Sequence, residues 1–318
     1  MEYDVVALGE LLIDFTGYGE SDRGNLLFET NPGGAPGNVL AMLAKLGRKT
    51  AFIGKVGADM FGRVIIDALT QSGIDTTGVL IEDKANTTLA FVHNSPDGDR
   101  DFSFFRNPGA DTLLRAEELP VGIIGGCGVF HFGSLSLTHQ PARYATQTAV
   151  GYAKKAGAVI SFDPNLRPLL WDSMQEALLQ IKWGCSVCDV IKAAADELLF
   201  ITGEDSLESG VSALRQQYPQ IRLILLTKGR QGAELYRGDY SCSHPGYPVE
   251  AVDTTGAGDA FMGCCLSFIS DCGFDSFEPG ALEEMLKFAN AAASLVTRKK
   301  GALLSMPDKE DINRLLMN

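Results

Sequence analysis

Residues 253–266 carry the side chains best suited to chemistry, Asp-Thr-Thr-Gly-Ala-Gly-Asp followed by an apolar run. The run predicts a helix, and Gly256 and Gly258 leave the N–H groups of its first turn open to an anion such as phosphate. Asp259 lies in that turn and is the only charged residue between Ala257 and Ile269. An acidic residue there can simply complement the helix dipole, but the two glycines and the apolar helix favour a general base.

The elements that must position this turn follow a regular alternation of apolar strands and helices. The predicted strands are 5–8, 51–56, 129–132, 159–162, 190–192 and 223–227. The predicted helices are 35–46, 61–71, 141–156, 207–217, 257–269 and 281–297. Continuous apolar strands separated by helices indicate a parallel sheet covered on both faces. We therefore predict a three-layer, doubly wound α/β fold, in which ligands bind beyond the carboxyl ends of the strands.

Two segments break this alternation. Residues 13–31 are polar and Gly-rich, and residues 87–106 alternate apolar and polar side chains around the turn signal Pro-Asp-Gly-Asp at 96–99. The second pattern predicts a hairpin. We interpret both segments as a small β-sheet that projects from the main one, although an ordinary edge hairpin would give the same pattern. No linker marks a boundary, so we predict a single domain over residues 1–318.

Composition and charge restrict the classes of function. Lys and Arg number 27 against 40 Asp and Glu, and the net charge of −13 argues against nucleic acid or an anionic membrane as the main partner. The N-terminus does not resemble a targeting signal, and the sequence has no apolar run long enough to span a bilayer. Seven cysteines do not make an even disulfide framework, so we expect a reducing, cytoplasmic compartment.

Three motifs resemble those of the ribokinase-like, or PfkB, family of carbohydrate kinases. They are DTTGAGDAF at 253–261, NPGGAPGN at 31–38 and GKVGADMFG at 54–62. Within the family, the segments GELLIDF, FRNPGAD, FHFGSLSL and SFDPNLRP most resemble fructokinases of bacteria and plants. The resemblance implies a ribokinase-like α/β fold and transfer of a phosphoryl group from ATP to a sugar hydroxyl. It also implies that residues 13–31 and 87–106 form a lid, through which the chain pairs as a homodimer.

The resemblance assigns roles to individual positions. Asp259 matches the general base, and the amides of Gly256, Ala257 and Gly258 match the anion hole for the transferring phosphoryl group. The positions that match the sugar site are Asp14, Gly33, Gly34, Asn38, Phe104, Arg106 and Arg167. The positions that match the nucleotide site are Thr227, Lys228, Gly229, Gly232, Gly258 and Asn290.

The resemblance also implies two ion sites. K⁺ would lie beside the anion hole, held mainly by the carbonyl groups of Asp253, Thr255, Leu295, Arg298, Gly301 and Ser305. Lys299 and Lys300 make that loop one residue longer than in ribokinase-type sequences. Glu197 matches the glutamate of an Asn-x-x-Glu motif linked to Mg²⁺, but Ala194 stands at the asparagine position. We therefore expect Glu197 to act on Mg²⁺ through water.

These expectations converge on a cytoplasmic, ATP-dependent sugar kinase with fructose as its substrate. A kinase for 2-keto-3-deoxygluconate or another small sugar is the alternative within the class, since Arg106 or Arg167 could pair with the carboxylate of an acid sugar. A nucleoside such as adenosine is a weaker alternative. From a different class, the replacement at Ala194 leaves open a sugar-binding regulator without catalysis.

Overall fold

This computed structural model describes residues 1–94, 100–274 and 277–317. The strands within these ranges are β1 Tyr3–Leu8, β2 Leu12–Glu20, β3 Leu26–Gly33, β4 Thr50–Gly57, β5 Asp75–Glu82, β6 Thr88–Asn94, β7 Arg100–Phe105, β8 Cys127–Gly133, β9 Val159–Asp163, β10 Val190–Ala194, β11 Leu223–Thr227, β12 Ala233–Arg237 and β13 Tyr240–His244. The helices are α1 Ala35–Lys45, α2 Met60–Gln71, α3 Val121–Gly125, α4 Ala142–Lys155, α5 Met174–Val187, α6 Ala195–Thr202, α7 Leu207–Gln217, α8 Ala257–Cys272, α9 Pro279–Val296 and α10 Lys309–Met317.

The main sheet has nine strands in the order β13-β12-β11-β10-β9-β8-β1-β4-β5. Its strands run parallel from β5 to β11, and β12 and β13 add an antiparallel edge. Side chains alternate between two apolar cores, as β1 shows: Val5 packs on one face and Val6 on the other. Helices α1, α8 and α9 cover the first face, and α4 and α5 cover the second. The predicted three-layer, doubly wound fold is confirmed.

A second sheet of four strands, in the order β3-β2-β6-β7, lies apart from the main one. Its strands β2, β3, β6 and β7 correspond to the two segments predicted as a small projecting sheet, and the edge-hairpin alternative is wrong. The predicted turn at residues 96–99 lies outside the described residues. Strand β2 begins soon after the carboxyl end of β1, so the small sheet, hereafter the lid sheet, starts at the edge of the main sheet where ligands are expected.

The two faces of the lid sheet differ in chemistry because successive side chains of a strand point to opposite sides. Phe15 stacks on Phe91 with ring centroids 4.5 Å apart, and Phe15 also meets Phe61 of α2 edge-to-face. Asp14 and Thr16, on either side of Phe15, face the cavity described below. The lid sheet thus directs Phe15 and Phe91 away from the cavity, whereas Asp14, Thr16 and Phe104 face it. Among the described residues, every helix is too short or too polar to cross a bilayer.

Candidate active site

A cavity of about 760 Å³ lies between the inner face of the lid sheet and the carboxyl edge of the main sheet. Five parallel strands contribute to its wall at their carboxyl ends or through the loops that follow, with Glu10, Leu135, Asn165, Ala194 and Thr227. Bringing these loops together is what a parallel sheet does, because its carboxyl ends meet at one edge. The cavity is large enough for a sugar and a nucleotide phosphate chain placed end to end.

Helix α8 begins in the wall of this cavity with an unusual backbone turn. Gly256, the residue before the helix, has φ +82°, and a Cβ atom there would lie 2.5 Å from the Cβ of Ala302. Only glycine fits a left-handed position so close to a neighbouring loop. Gly256, Ala257, Gly258 and Asp259 all line the cavity, so the first turn of α8 faces the space where an anion would lie.

Asp259 is buried in this turn and is held by one strong hydrogen bond. The amide Nδ2 of Asn38, on α1, donates to Oδ2 of Asp259 over 2.7 Å. Burial and, to a lesser extent, the nearby charge of Asp163 raise the pKa of Asp259 to about 6, against the opposing effects of the Asn38 hydrogen bond, Lys192 and Arg167. A carboxylate with such a pKa is a stronger base than an exposed one and is still mostly ionised at neutral pH.

The polar side chains expected to hold a sugar surround this base. Asp14, Gly34, Asn38, Phe104 and Arg167 all line the cavity. Burial raises the pKa of Asp14 to about 7 against the opposing effect of Arg167, and Oδ1 of Asn38 is buried without a hydrogen-bond donor among the described residues. Carboxylate and amide side chains in the wall of one cavity are suited to the adjacent hydroxyls of a polyol.

Gly33 lies just behind this group, where a Cβ atom would be 3.1 Å from Oδ2 of Asp14. The absence of a side chain at Gly33 therefore leaves room for the Asp14 carboxylate. This is a supporting role, since the cavity wall among the described residues does not include Gly33 itself.

Arg106 does not occupy the place expected of a substrate ligand. Its guanidinium is buried and donates to Oδ2 of Asp111 over 2.8 and 2.5 Å, to Oγ1 of Thr138 over 3.0 Å and to the carbonyl of Leu135 over 2.9 Å. These hydrogen bonds occupy the buried guanidinium of Arg106, so that it joins loops behind the site. The structure does not bring Arg106 into the cavity wall of the described chain, which leaves Arg167 as the exposed arginine at the site.

Further polar residues at the cavity wall or directly behind it have no role predicted from the sequence. Glu10, Asn165 and Lys192 line the cavity, and Asp163 ion-pairs with Lys192 over 2.9 Å. Asn165 has φ +42°, a left-handed conformation that few residues other than glycine adopt. A charged residue in the middle of the apolar strand β10 was the sequence signal that could have identified Lys192.

The nucleotide positions divide into those at the cavity and one that points elsewhere. Thr227, Gly229, Gly232 and Asn290 line the end of the cavity between β11 and α9. Lys228 instead forms an ion pair with Glu234, and the described cavity wall does not include it. Thr227 and the glycines of the turn after β11 therefore face the cavity, whereas the Lys228 ammonium is occupied by Glu234.

The loops proposed to hold a monovalent cation are tied together by Asp253. Its Oδ1 accepts hydrogen bonds from the amide and hydroxyl of Thr255 over 2.9 and 2.7 Å, and its Oδ2 accepts from the amide of Gly301 over 3.1 Å. The carbonyl of Thr297 accepts from the amide of Asp253 over 3.0 Å. The loop before α8 and the loop after α9 are thus held side by side next to the first turn of α8.

The remaining positions of that proposed site also supply oxygen atoms. The carbonyl of Leu295 accepts from the amide of Arg298 over 3.1 Å, and the Ser305 hydroxyl donates to the carbonyl of Lys300 over 2.7 Å. Among the described residues, no group of three His, Cys, Asp or Glu side chains could hold a metal ion. The oxygen atoms shown in these loops are carbonyl and hydroxyl oxygens and the carboxylate of Asp253, and oxygen ligands of this kind suit a hard cation.

Glu197 is engaged by the backbone rather than presented to the cavity. Its Oε1 accepts from the amide of Leu166 over 2.8 Å, and its Oε2 accepts from the amide of Ala194 over 2.7 Å. The side chain is buried and does not belong to the described cavity wall. Glu197 therefore joins the loop after β9 to the end of β10.

Comparison with known proteins agrees with this geometry. The family model described as pfkB family carbohydrate kinase matches residues 3–309. Fructokinase-1 of Zea mays is 44% identical over 314 residues, which cover 98% of this chain and 97% of that protein.

Solved structures extend the likeness to three dimensions. A fructokinase from Xylella fastidiosa with bound ATP has a TM-score of 0.90 and 30% identity, covering 100% of this chain and 99% of that one. A double mutant of the fructokinase from Vibrio cholerae O395, in a form with bound fructose, ADP and potassium, has a TM-score of 0.88 and 31% identity, covering 99% of each chain. With a cavity lined by an anion-binding turn and a buried carboxylate, and with these relatives along its whole length, the chain belongs to the pfkB family of carbohydrate kinases.

Proposed function

We propose that this protein is a fructokinase, which transfers the γ-phosphoryl group of ATP to fructose and yields fructose 6-phosphate and ADP. The observation that carries the proposal is Asp259, a buried carboxylate at the open first turn of α8 that faces the same cavity as Asp14. The names of the maize relative and of the two structural neighbours favour fructose among the sugars that a carbohydrate kinase could take.

In the proposed step, Asp259 accepts the proton of the sugar hydroxyl as that oxygen forms a bond to the γ-phosphorus. The bond from this phosphorus to the bridging oxygen of ATP breaks, and ADP leaves with the electron pair. Backbone amides of Gly256, Ala257 and Gly258 stabilise the negative charge of the phosphoryl oxygens. Asp14 and Asn38 hold the sugar so that one hydroxyl lies between the base and the phosphate.

The nucleotide would lie along the far half of the cavity, beside Thr227, Gly229, Gly232 and Asn290. Mg²⁺ would enter with ATP and neutralise part of the charge on its phosphate groups. K⁺ would be held by the carbonyl groups around Asp253 and Gly301, and would fix the loop that precedes α8. The water-mediated role of Glu197 toward Mg²⁺ remains a prediction.

The lid sheet would act as a cover and as a dimer contact. Its inner face closes one side of the cavity, which would exclude water and so limit the hydrolysis of ATP. Tyr18, Leu26 and Phe105 on the lid sheet are 67%, 66% and 63% exposed. Large apolar side chains concentrated on one small sheet are typical of an interface, and a second copy of this chain is the partner we propose.

A charge placed on the lid sheet tests this pairing. Tyr18→Asp should convert a dimer to a monomer in multi-angle light scattering, whereas Tyr144→Asp, on α4, should not, although Tyr144 is 59% exposed. A monomeric wild-type chain would refute the dimer.

The seven cysteines are all unpaired, which supports the proposal of a reducing, cytoplasmic compartment.

The position of Arg106 bears on the choice of sugar. An acid sugar such as 2-keto-3-deoxygluconate needs a cationic partner for its carboxylate, and the ion pair with Asp111 removes Arg106 from that role. Arg167 remains, but it already faces two carboxylates, Asp14 and Asp259. A neutral sugar fits this charge balance better.

A panel of acceptors tests the proposal directly. ADP release is measured with fructose, 2-keto-3-deoxygluconate, ribose and adenosine, each in K⁺ and in Na⁺ buffer with Mg²⁺ present. We expect the highest kcat/KM with fructose, a higher rate in K⁺, and a product phosphorylated at the primary 6-hydroxyl by phosphorus NMR. Preference for another acceptor would refute fructose as the substrate. Tight sugar binding with no ADP release from any acceptor would instead favour a sugar-binding regulator without catalysis.

A further inference from the structure

We propose that Lys192 is a catalytic residue, whose ammonium group contacts the phosphoryl group while it passes from the nucleotide to the sugar. This inference rests on the proposed function, since it concerns the same reaction. It adds a side-chain cation to an anion hole that otherwise consists of backbone amides.

The first observation is where the Lys192 ammonium lies. A Cβ atom placed on Gly258 would be 2.9 Å from Nζ of Lys192, so the ammonium lies directly against the first turn of α8. Lys192 and Gly258 line the same cavity as Asp259. Any side chain larger than hydrogen at position 258 would separate the lysine from the turn that receives the phosphoryl group.

The second observation is that the ammonium is held but not saturated. Oδ1 and Oδ2 of Asp163, at the end of β9, accept hydrogen bonds from Nζ over 3.1 and 2.9 Å. An ammonium group has three donors, and within residues 1–94, 100–274 and 277–317 Lys192 forms no other hydrogen bond. One donor is therefore available to an oxygen atom of a ligand in the cavity.

The third observation is the balance of charge around the lysine. The carboxylates that face Lys192 are Asp163, Glu197 and Asp259, and together they raise the pKa of its ammonium against the effect of burial. Lys192 therefore remains a cation at any pH at which the enzyme would work. A buried cation in the interior strand β10, where apolar Ile191 and Ala193 flank it, is costly to maintain unless it has a task.

Stabilising the phosphoryl group during its transfer would be such a task for this cation. As the sugar oxygen bonds to phosphorus and the bond to the bridging oxygen of ADP breaks, negative charge is spread over the non-bridging oxygens and the leaving oxygen. Fixed positive charge in a water-poor site stabilises that state more than the ground state. Asp163 serves as a positioning residue, because it holds the ammonium in place without occupying all three of its hydrogen-bond donors.

The experiment compares Lys192→Met, which removes the charge and keeps the volume, with the wild-type enzyme. We expect kcat with fructose to fall about 10²–10³-fold, the loss found when one such donor is removed. The affinity for ADP alone should change by less than about threefold, while the tighter binding of ADP with aluminium fluoride and fructose, a mimic of the transition state, should be lost. A merely structural lysine would weaken both complexes alike.

Two further variants serve as controls for protein folding and for the general effect of removing a buried lysine. Asp163→Asn with Lys192→Met removes both buried charges, so it measures the loss of kcat even if the single variant fails to fold. Lys55→Met is the matched control, since Lys55 is also a buried lysine paired with carboxylates, Glu82 and Glu118, but does not line the described cavity. It should retain the kcat of the wild type in its folded fraction.

The outcomes separate the two proposals. A folded Lys192 variant with kcat within about threefold of the wild type, or an equal loss in both nucleotide complexes, overturns the role of Lys192 and leaves the kinase intact. An equal loss of kcat in Lys55→Met overturns it as well, because the effect is then a general one. A wild-type chain that phosphorylates none of the sugars overturns the proposed function itself.

Discussion

The hydrogen bond from Asn38 to Asp259 predicts how the rate should depend on pH. The bond is 2.7 Å long, is buried and favours the ionised carboxylate, whose pKa is about 6. A hydrogen bond to a charged group contributes about 1.5–3 kcal/mol, and about 1.4 kcal/mol corresponds to one pH unit. Because Asp259 must be ionised to act, kcat rises with pH through this pKa. Asn38→Ala should therefore move the midpoint of the rise upward by about one to two pH units.

The assay is kcat at saturating fructose and ATP between pH 5 and pH 9, since Asn38 also faces the sugar and its loss should raise KM. The pH-dependent part of the decrease in kcat of Asn38→Ala should be about 5- to 50-fold at pH 6 and should disappear near pH 9. Lys45→Ala on the same helix removes only an exposed ion pair with Asp308 and should leave the profile unchanged. A folded Asn38→Ala enzyme with the wild-type midpoint would refute the idea that this bond sets the basicity of Asp259.

Three further changes test other parts of the site. Gly256→Ala places a Cβ atom against Ala302 in a left-handed backbone conformation. The variant should lose about 2 kcal/mol of the free energy of unfolding in thermal denaturation and should show no turnover in ADP release. A stable, active variant would contradict the strained turn. Asp14→Asn should raise KM for fructose about 10- to 100-fold and spare ADP binding; an unchanged KM would remove Asp14 from the sugar site. Asp253→Ala breaks the tie to Gly301 and should abolish the rate difference between K⁺ and Na⁺; undiminished K⁺ activation would place the cation elsewhere.

Much of the fold could be read from periodicity because the central strands are apolar on both faces. Strand β11 has the predicted bounds, and α7 does too. The strands of the main sheet without a prediction have weaker patterns. Strands β12 and β13 are an edge hairpin with half-exposed side chains, and β5 borders the other edge and is partly exposed. Edge strands and partly exposed elements bury too few apolar side chains to produce a clear pattern.

The site was less predictable because its geometry depends on contacts between distant residues. The motif at 256–259 can be recognised from the sequence alone, because two glycines and a carboxylate lie together at the start of an apolar helix. Arg106 and Lys228 could not be excluded in the same way, because the partners that occupy them, Asp111 and Glu234, are revealed only by packing. Lys192 is the converse case, since its charge inside the apolar strand β10 is visible in the sequence, but its position against the first turn of α8 becomes clear only in the structure.

The central claim is that Asp259 takes the proton from the acceptor hydroxyl, and one measurement tests it most directly. In Asp259→Asn, single-turnover transfer from ATP to fructose should be slower by about 10²–10⁴-fold, while ADP and fructose bind within about threefold of the wild type. The amide keeps the size of the carboxylate and can still meet Asn38. A variant that binds both ligands and transfers the phosphoryl group at more than about one tenth of the wild-type rate would contradict the account.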